Sequence, residues 1–494
     1  MPRPYLLALC LIALVTVARL TGTVDSDVAW QLWIAGRIHA GANLYREIIE
    51  TNPPLWFWMA LPVDRIATLL HLRIETVLIA SIGGISALAV AATNRLIDHI
   101  PPSRRALLLG YAALCLMAMP WSHVGQREQI VLIGTLPYAA LVAARRRGRT
   151  VPSLMGALIG AGAALGFALK HYFLVVPVLL ELWLLIGRPR EWRPVRPETV
   201  AIVAVGIAYV AAALLFEPDF FTDIIPLLRL AYGQTGAPSL RYLFGPFALV
   251  GMVTLALLVG QKQILLGKEA PFAAALIVAA TGFAAAYFIQ LKGWPYHAIP
   301  LVGCTSLALA TVVAESTARL RLLRLVAPAL LSLPLFLAAE EATHPDLPSP
   351  DLLGAVAGLR VGDPVGFVTT ETAIPWAVTL QGRYRYASRY NGFWMMPAIA
   401  TNERRRHPDP RLAQLGRNIV AQTVADFTCT PPVRIIVWRS RGGSGESDVL
   451  PFFLRNRDFA ELLSHYRVRS RTSLETYELV SPLPAPTASC RSGI

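Results

Sequence analysis

A chain of 494 residues that is 55% hydrophobic and only 15% charged has a bilayer rather than water as its main solvent, which excludes a soluble multidomain enzyme. The net charge of +14 does not argue for nucleic acid, because the basic residues sit in short clusters between apolar runs and leave no folded basic surface for phosphate contacts. These clusters are Arg104-Arg105, Arg145 to Arg149, Arg188 to Arg196, Lys262 to Lys268 and Arg319 to Arg324, and short Lys/Arg-rich loops stay cytoplasmic.

The N-terminal apolar run follows Arg3 and has no small-residue cleavage site after it, so it reads as an uncleaved first span. A helix crossing about 30 Å of hydrocarbon takes roughly 17 to 25 apolar residues. Runs of that kind at 5–21, 76–97, 105–121, 128–144, 153–169, 172–187, 198–216, 242–261, 270–290, 297–314 and 325–342 predict about eleven transmembrane helices. The run 55–70 contains Pro62, Asp64 and Arg65. Counting it as a span would put Arg104-Arg105 on the wrong side, so it is placed in the outer interface, where Trp56 and Trp58 belong.

With the N-terminus cytoplasmic, the outer segments are 22 to about 75, 122–127, 169–172, 217–241, 291–297 and everything after about 343. Region 217–241, with Pro218, Pro226 and Pro238, suits a second interfacial helix. From Pro345 the composition turns polar. Val365 to Thr369, Val433 to Val437 and Thr472 to Val480 read as strands, and 411–427 and 456–465 as helices. The expected organisation is an α-helical polytopic membrane domain over 1–344 and a small soluble α/β domain over 345–494 on the periplasmic side. Cys10, Cys115 and Cys304 lie in apolar runs and read as buried small hydrophobes. Only Cys429 and Cys490 could pair, and only in an oxidising compartment.

Polar residues at membrane depth are expensive and are functional by default. Asp25 and Asp27, directly after the first span, could act as a general base or hold a divalent metal, or could simply cap the next helix. Glu50 and Asn52 close the same loop ahead of Pro53-Pro54, either as site groups or as plain loop residues. Three further outer loops carry cations: Arg127 and Glu128 in one, Lys170, His171 and Tyr172 in the next, Lys292, Trp294, Tyr296 and His297 in the last. Trp, Tyr and Lys collect at interfaces anyway, but these cations fall on the outer face against the positive-inside bias. Together they would bind a phosphate.

The acid just outside span one, Ala35-Gly36, Gly41-Ala42-Asn43-Leu44-Tyr45 and the polar residue before Pro53-Pro54-Leu55 form a pattern that resembles the first outer loop of GT-C glycosyltransferases. The 4-amino-arabinose lipid A transferases and the protein O-mannosyltransferases are the most similar in pattern. The resemblance is best over the first 60 residues. It implies a GT-C-like fold and a transferase that takes sugar from a polyprenyl-phosphate carrier to a lipid, glycan or protein acceptor at the outer face of a bacterial inner membrane. It also favours Asp27 over Asp25 as the catalytic acid. The lipid A transferases carry Glu-Lys before the paired prolines, where this chain has Thr51-Asn52. The cation near the donor phosphate must therefore come from Arg127, Lys170 or Lys292, with His171 and His297 beside them, and Glu128, Asn52, Tyr172, Trp294 and Tyr296 are expected at the substrate. A transporter, or a polymerase or ligase using a pyrophosphate-linked donor, is the alternative reading.

Overall fold

A computed structural model describes residues 4–232, 243–266, 270–315, 321–343, 348–438, 449–483 and 490. Pro238, Lys268, Arg319 and Pro345, which the sequence reading used as landmarks, lie outside the described residues, as does the end of the expected 217–241 helix. The chain folds into two compact units. The first comprises Met1–Val24, Ile66–Ala212 and Ala237–Pro345, and the second Asp25–Arg65, Ala213–Gly236 and Asp346–Ile494.

The first unit is a helical bundle. Every apolar run read from the sequence falls on a helix, from Leu6–Arg19 to Arg321–Thr343. Among the described residues, five helices are long and apolar enough to cross a membrane by length and composition: Ile74–Leu96, Pro197–Phe216, Pro271–Gln290, Pro295–Glu315 and Leu323–Thr343. Four shorter apolar helices accompany them. The helix Pro197–Phe216 leaves Val203, Ile207, Val210, Leu214 and Phe216 exposed, a surface that hydrocarbon solvates and water does not. Without a hydrophobic force between helices in lipid, close packing rests on small residues. A Cβ on Gly166 would stand 3.0 Å from the Cα of Val131, and one on Gly134 would stand 3.1 Å from the Gly162 carbonyl oxygen. These two glycines let Arg127–Arg146 and Ser153–Ala168 touch along their backbones.

The helix Arg127–Arg146 has Arg127 in its first turn and Arg145 and Arg146 in its last. Its 20 residues put these poles about 30 Å apart. At the second pole Arg145 grips Glu198 through two bonds of 3.0 and 3.1 Å, and Arg196 adds a third of 2.9 Å. Glu198 is buried, so its charge is tolerable only because both guanidinium groups meet it. Cys115 and Cys304 are buried as expected, but Cys10 is exposed on its helix, because a span's outer face needs only to be apolar, not enclosed.

The second unit is built on a five-stranded mixed sheet ordered β2-β1-β3-β5-β4. Here β1 is Pro364–Val368, β2 Arg385–Tyr386, β3 Arg434–Trp438, β4 Tyr466–Arg471 and β5 Leu474–Leu479. β1 runs parallel to β2 and β3, and β5 is antiparallel to β3 and β4. Helices Ala373–Gly382, Met396–Glu403, Pro410–Cys429, Val449–Leu454 and Arg457–Ser464 cover it. The core of Val368, Phe393, Ile419, Phe427, Ile435 and Phe453 also takes in Ala231, with Ile49, Leu227 and Leu230 packed against it. The loop 44–50 is tied in by main chain, since Ile49 N–H donates to the Arg389 carbonyl at 2.8 Å. The stretch Tyr384 to Tyr390, which mixes aromatic and basic residues, contains the edge strand β2.

Cys429 and Cys490 are joined by a disulfide with a sequence separation of 61. Closing a loop of that length in the unfolded chain is expected to stabilise the native state by about 4 kcal/mol in the chain-entropy account. Cys429→Ser, or reduction of the wild type, should therefore lower the thermal unfolding midpoint clearly. A midpoint indifferent to reductant would show that the bridge does not form.

Candidate functional site

In the first unit, three loops that are far apart in sequence meet at the Arg127 pole. Gly125, with φ of +88°, lets the chain turn tightly into the helix Arg127–Arg146. Its N–H donates to the Gln129 side chain at 2.7 Å, and Gln129 in turn donates to the Leu116 carbonyl at 2.8 Å, so the turn is fixed by buried bonds. Arg127, Glu128 and Gln126 are consequently buried. Lys170 stands in the break between Ser153–Ala168 and the following helix. Its ammonium donates to Glu128 at 2.5 Å and to Gln290 at 3.0 Å. An ammonium has three N–H donors, and the third has no acceptor among the described residues.

Burial brings the Lys170 ammonium down to about 8, with Glu128 opposing the fall and Arg127 and Lys292 adding to it. The group is a cation near neutrality, held in a poorly hydrated place by one carboxylate and surrounded by further positive charge. His297 lies with Nε2 3.8 Å from the same Glu128 oxygen. Tyr296 packs edge-on against the His297 ring at 4.6 Å, with the Lys170 ammonium 5.9 Å from the Tyr296 ring centre. Lys292 rests over Trp294 at 4.9 Å. His123 joins from the preceding loop, 5.4 Å from Tyr296 and 3.1 Å from Glu341.

The second unit gathers the acids of the first loop. Asp25 is the N-cap of the helix Ser26–His39, its carboxylate accepting from Val28 N–H at 2.8 Å. Asp27 sits in the first turn, where a negative charge suits the helix dipole. The Glu50 carboxylate is buried and heavily used. One oxygen accepts from Thr51 N–H at 2.7 Å, from Asn52 N–H at 2.7 Å and from the Asn52 side chain at 2.6 Å, while the other accepts from the Trp30 indole. Glu50 thus braces the turn before Pro53-Pro54 against the helix Ser26–His39. Trp30 stacks on Trp33 at 4.9 Å and contacts Trp376 at 5.0 Å, an aromatic cluster that fixes the helix against the sheet side of its own unit.

Burial raises the Tyr232 phenol above its ordinary value, and the Glu50 and Asp27 charges raise it further, which puts these three groups in one neighbourhood. Tyr232 also stacks on Trp394 at 5.0 Å. Close to the end of Pro197–Phe216, burial raises the Glu217 carboxyl to about 7, against a hydrogen bond from Trp58 that lowers it. Among the described residues no group of three or more His, Cys, Asp or Glu side chains is arranged as a metal site.

Of the residues singled out from sequence, the structure brings Arg127, Glu128, Lys170, Lys292, Trp294, Tyr296 and His297 together in the first unit, and Asp25, Asp27, Glu50 and Asn52 in the second. The His171 and Tyr172 rings lie 3.8 Å apart, tilted at 46°, and His171 is exposed. Glu128, expected at the substrate, is taken up as the counter-ion of Lys170. Sequence reasoning missed Gln290, His123, Glu217, Tyr232 and Trp394. Gln290 and Glu217 were open to detection, being polar residues at the ends of apolar runs. Tyr232 and Trp394 carried no such signal, because their pairing is a long-range contact.

No known family model matches the chain, and no curated protein matches its sequence. Among solved structures, ArnT from Cupriavidus metallidurans bound to undecaprenyl phosphate matches it over 95% of this chain and 97% of that one, at 14% identity and a TM-score of 0.52. At that identity the likeness is one of fold, and it extends well beyond the first 60 residues on which the sequence resemblance rested. The chain has a fold similar to that of ArnT.

Proposed function

We propose that this protein is a glycosyltransferase that moves a sugar from a polyprenyl-phosphate donor to a lipid, glycan or protein acceptor at the outer face of the bacterial inner membrane. The observation that carries this reading is Lys170, a buried cation with a spare donor, beside Arg127, Lys292 and His297 in a chain of ArnT fold. A lipid phosphate placed there would exchange water for fixed positive charge, and such an interaction is worth more at a poorly hydrated boundary than in bulk water.

The reaction proposed is a single displacement. Asp27 takes the proton of the acceptor hydroxyl or amine as that atom forms its bond to the anomeric carbon. The bond from that carbon to the phosphate oxygen breaks, and its electron pair leaves on the polyprenyl phosphate, whose charge Lys170 and Arg127 neutralise. Trp294, being exposed, offers a face on which a sugar ring can stack. Glu50 and Asn52 hold the loop rather than touch substrate in this scheme, and Asp25 holds the helix that carries Asp27.

The proposed topology has eleven crossings from a cytoplasmic N-terminus, with 1–344 as the catalytic membrane domain and 345–494 in the periplasm. The Cys429–Cys490 disulfide supports that side, since such bonds persist in oxidising compartments. Deleting the gene should make a polyprenyl-phosphate sugar accumulate in membrane extracts, as measured by mass spectrometry, and an Asp27→Asn copy should fail to clear it. A phosphatase reporter fused in the C-terminal region should be active. Unchanged lipid-phosphate sugars in the deletion strain would sink the donor assignment, and an inactive phosphatase fusion would sink the topology.

A further inference from the structure

A cavity of about 460 Å³ opens at the opposite end of the first unit from Lys170, where the helices Ile74–Leu96, Pro102–Ala113 and Ser153–Ala168 begin or end. Arg95, Arg105 and Arg149 line it, with Asp98 as the one acidic residue. Asp98 is engaged by Arg149 at 2.7 Å, and Arg149 also donates to the Leu96 carbonyl at 3.2 Å. Arg105 differs. Its Nε and Nη1 are shielded from solvent and have no hydrogen-bond partner among the described residues, and neither has the side-chain oxygen of Asn94 on the same wall. The Asn94 amide can be turned over, which would offer its N–H groups instead.

A guanidinium with two buried nitrogens whose N–H groups are unanswered is costly and calls for an acceptor that the described residues do not supply. On different edges of the guanidinium, Nε and Nη1 can each donate a charge-assisted hydrogen bond to an anionic oxygen. Val151 and Met155 give the same cavity an apolar shoulder, and the flanking helices are apolar along their length. Basic pockets between membrane helices on the positive side suit acidic lipid headgroups.

We infer that this cavity is a second phosphate-binding site, separate from the Lys170 cluster, and that it takes the phosphodiester headgroup of an anionic membrane lipid. Arg105 supplies the unanswered guanidinium donors, Arg95 the second charge, and Val151 and Met155 the seat for the glycerol end.

The test uses the full-length protein in mild detergent, followed by native mass spectrometry and thermal unfolding. Dioleoylphosphatidylglycerol, dioleoylphosphatidylcholine and inorganic phosphate serve as three separate probes. Phosphatidylglycerol should be retained and should raise the unfolding midpoint, phosphatidylcholine much less so. Removing one charge near a lipid headgroup should weaken retention about fivefold, so Arg105→Gln and Arg95→Gln should each do this and the pair should do so more strongly. Arg105→Lys, which keeps the charge but loses the guanidinium donors, should fall between. If inorganic phosphate at millimolar concentration stabilises as well as the lipid, and does so through Arg105, the site stands and its ligand is a free anion. Should Arg105→Gln fail to fold, the exposed Arg95 carries the comparison. Equal retention of phosphatidylglycerol by wild type and variants, with no phosphate effect, would mean the cavity holds water, and the inference would be wrong.

Discussion

Asp27→Asn should lower turnover by about 10²- to 10⁴-fold, the usual span for removal of a general base, while the protein still inserts and still binds donor. Asn keeps the shape of the side chain and cannot accept the proton. Asp25→Asn is expected to do little, because the Asp25 carboxylate is the N-cap of Ser26–His39 and Asn caps about as well as Asp. The two substitutions are chemically identical and two residues apart, so a difference between them isolates the proton acceptor from the helix cap. Glu50→Gln gives a third, different result. Its carboxylate oxygens answer donors from Thr51, Asn52 and Trp30, and an amide nitrogen in place of either oxygen would face N–H groups it cannot satisfy. That variant should lose thermal stability as well as activity. Near-normal turnover in both aspartate variants would leave Asp27 as a first-turn acid and nothing more. A larger loss at Asp25 would move the base by two residues.

How far the molecule was legible beforehand depended on the range of the contacts involved. Long apolar runs announce helices because the bilayer demands them whatever else the chain does. The Asp25 cap was readable for the opposite reason, as it acts three residues away on Val28. The grouping of 25–65 and 213–236 with the C-terminal region in one compact unit was not readable. It rests on the main-chain bond from Ile49 to Arg389 and on Ala231 entering the core of Phe393 and Ile435. Neither contact leaves a local pattern.

The same limit explains Glu128. As a polar residue at the end of an apolar run it was expected at the substrate, but its partner lies 42 residues on, and only the packing of Arg127–Arg146 on Ser153–Ala168 brings the two together. The Glu50 carboxylate is a related case. Its oxygens looked available for chemistry until the fold supplied Trp30, 20 residues upstream, as a donor to one of them.

Removing the Lys170 charge should weaken donor binding by about 10- to 100-fold, in line with the loss of one charged hydrogen bond. Lys170→Met alone is a poor test, because it strands the buried Glu128 carboxylate without its counter-ion, and that by itself destabilises. The double variant Lys170→Met with Glu128→Gln removes both charges and should fold, yet still bind donor poorly. Lys292→Met should cost less, since Lys292 is exposed over Trp294 and loses little hydration. Glu128→Gln alone is the sharpest case. Glu128 raises the Lys170 ammonium, so without it that group must fall below its present value of about 8. Phosphate binding needs the protonated form. Wild-type donor affinity should therefore hold below pH 8 and decline as the pH rises through it, and in Glu128→Gln the decline should begin at lower pH, with affinity recovered on acidification. For stability the sign is the reverse of a stabilised cation. A lysine depressed from 10.5 to about 8 binds fewer protons folded than unfolded between those values, so the fold gains stability as pH climbs through that window. The two profiles run in opposite directions over the same range. Donor affinity that is flat from pH 7 to 9 in both proteins would remove Lys170 from the phosphate site and pass the role to Arg127, which does not titrate there.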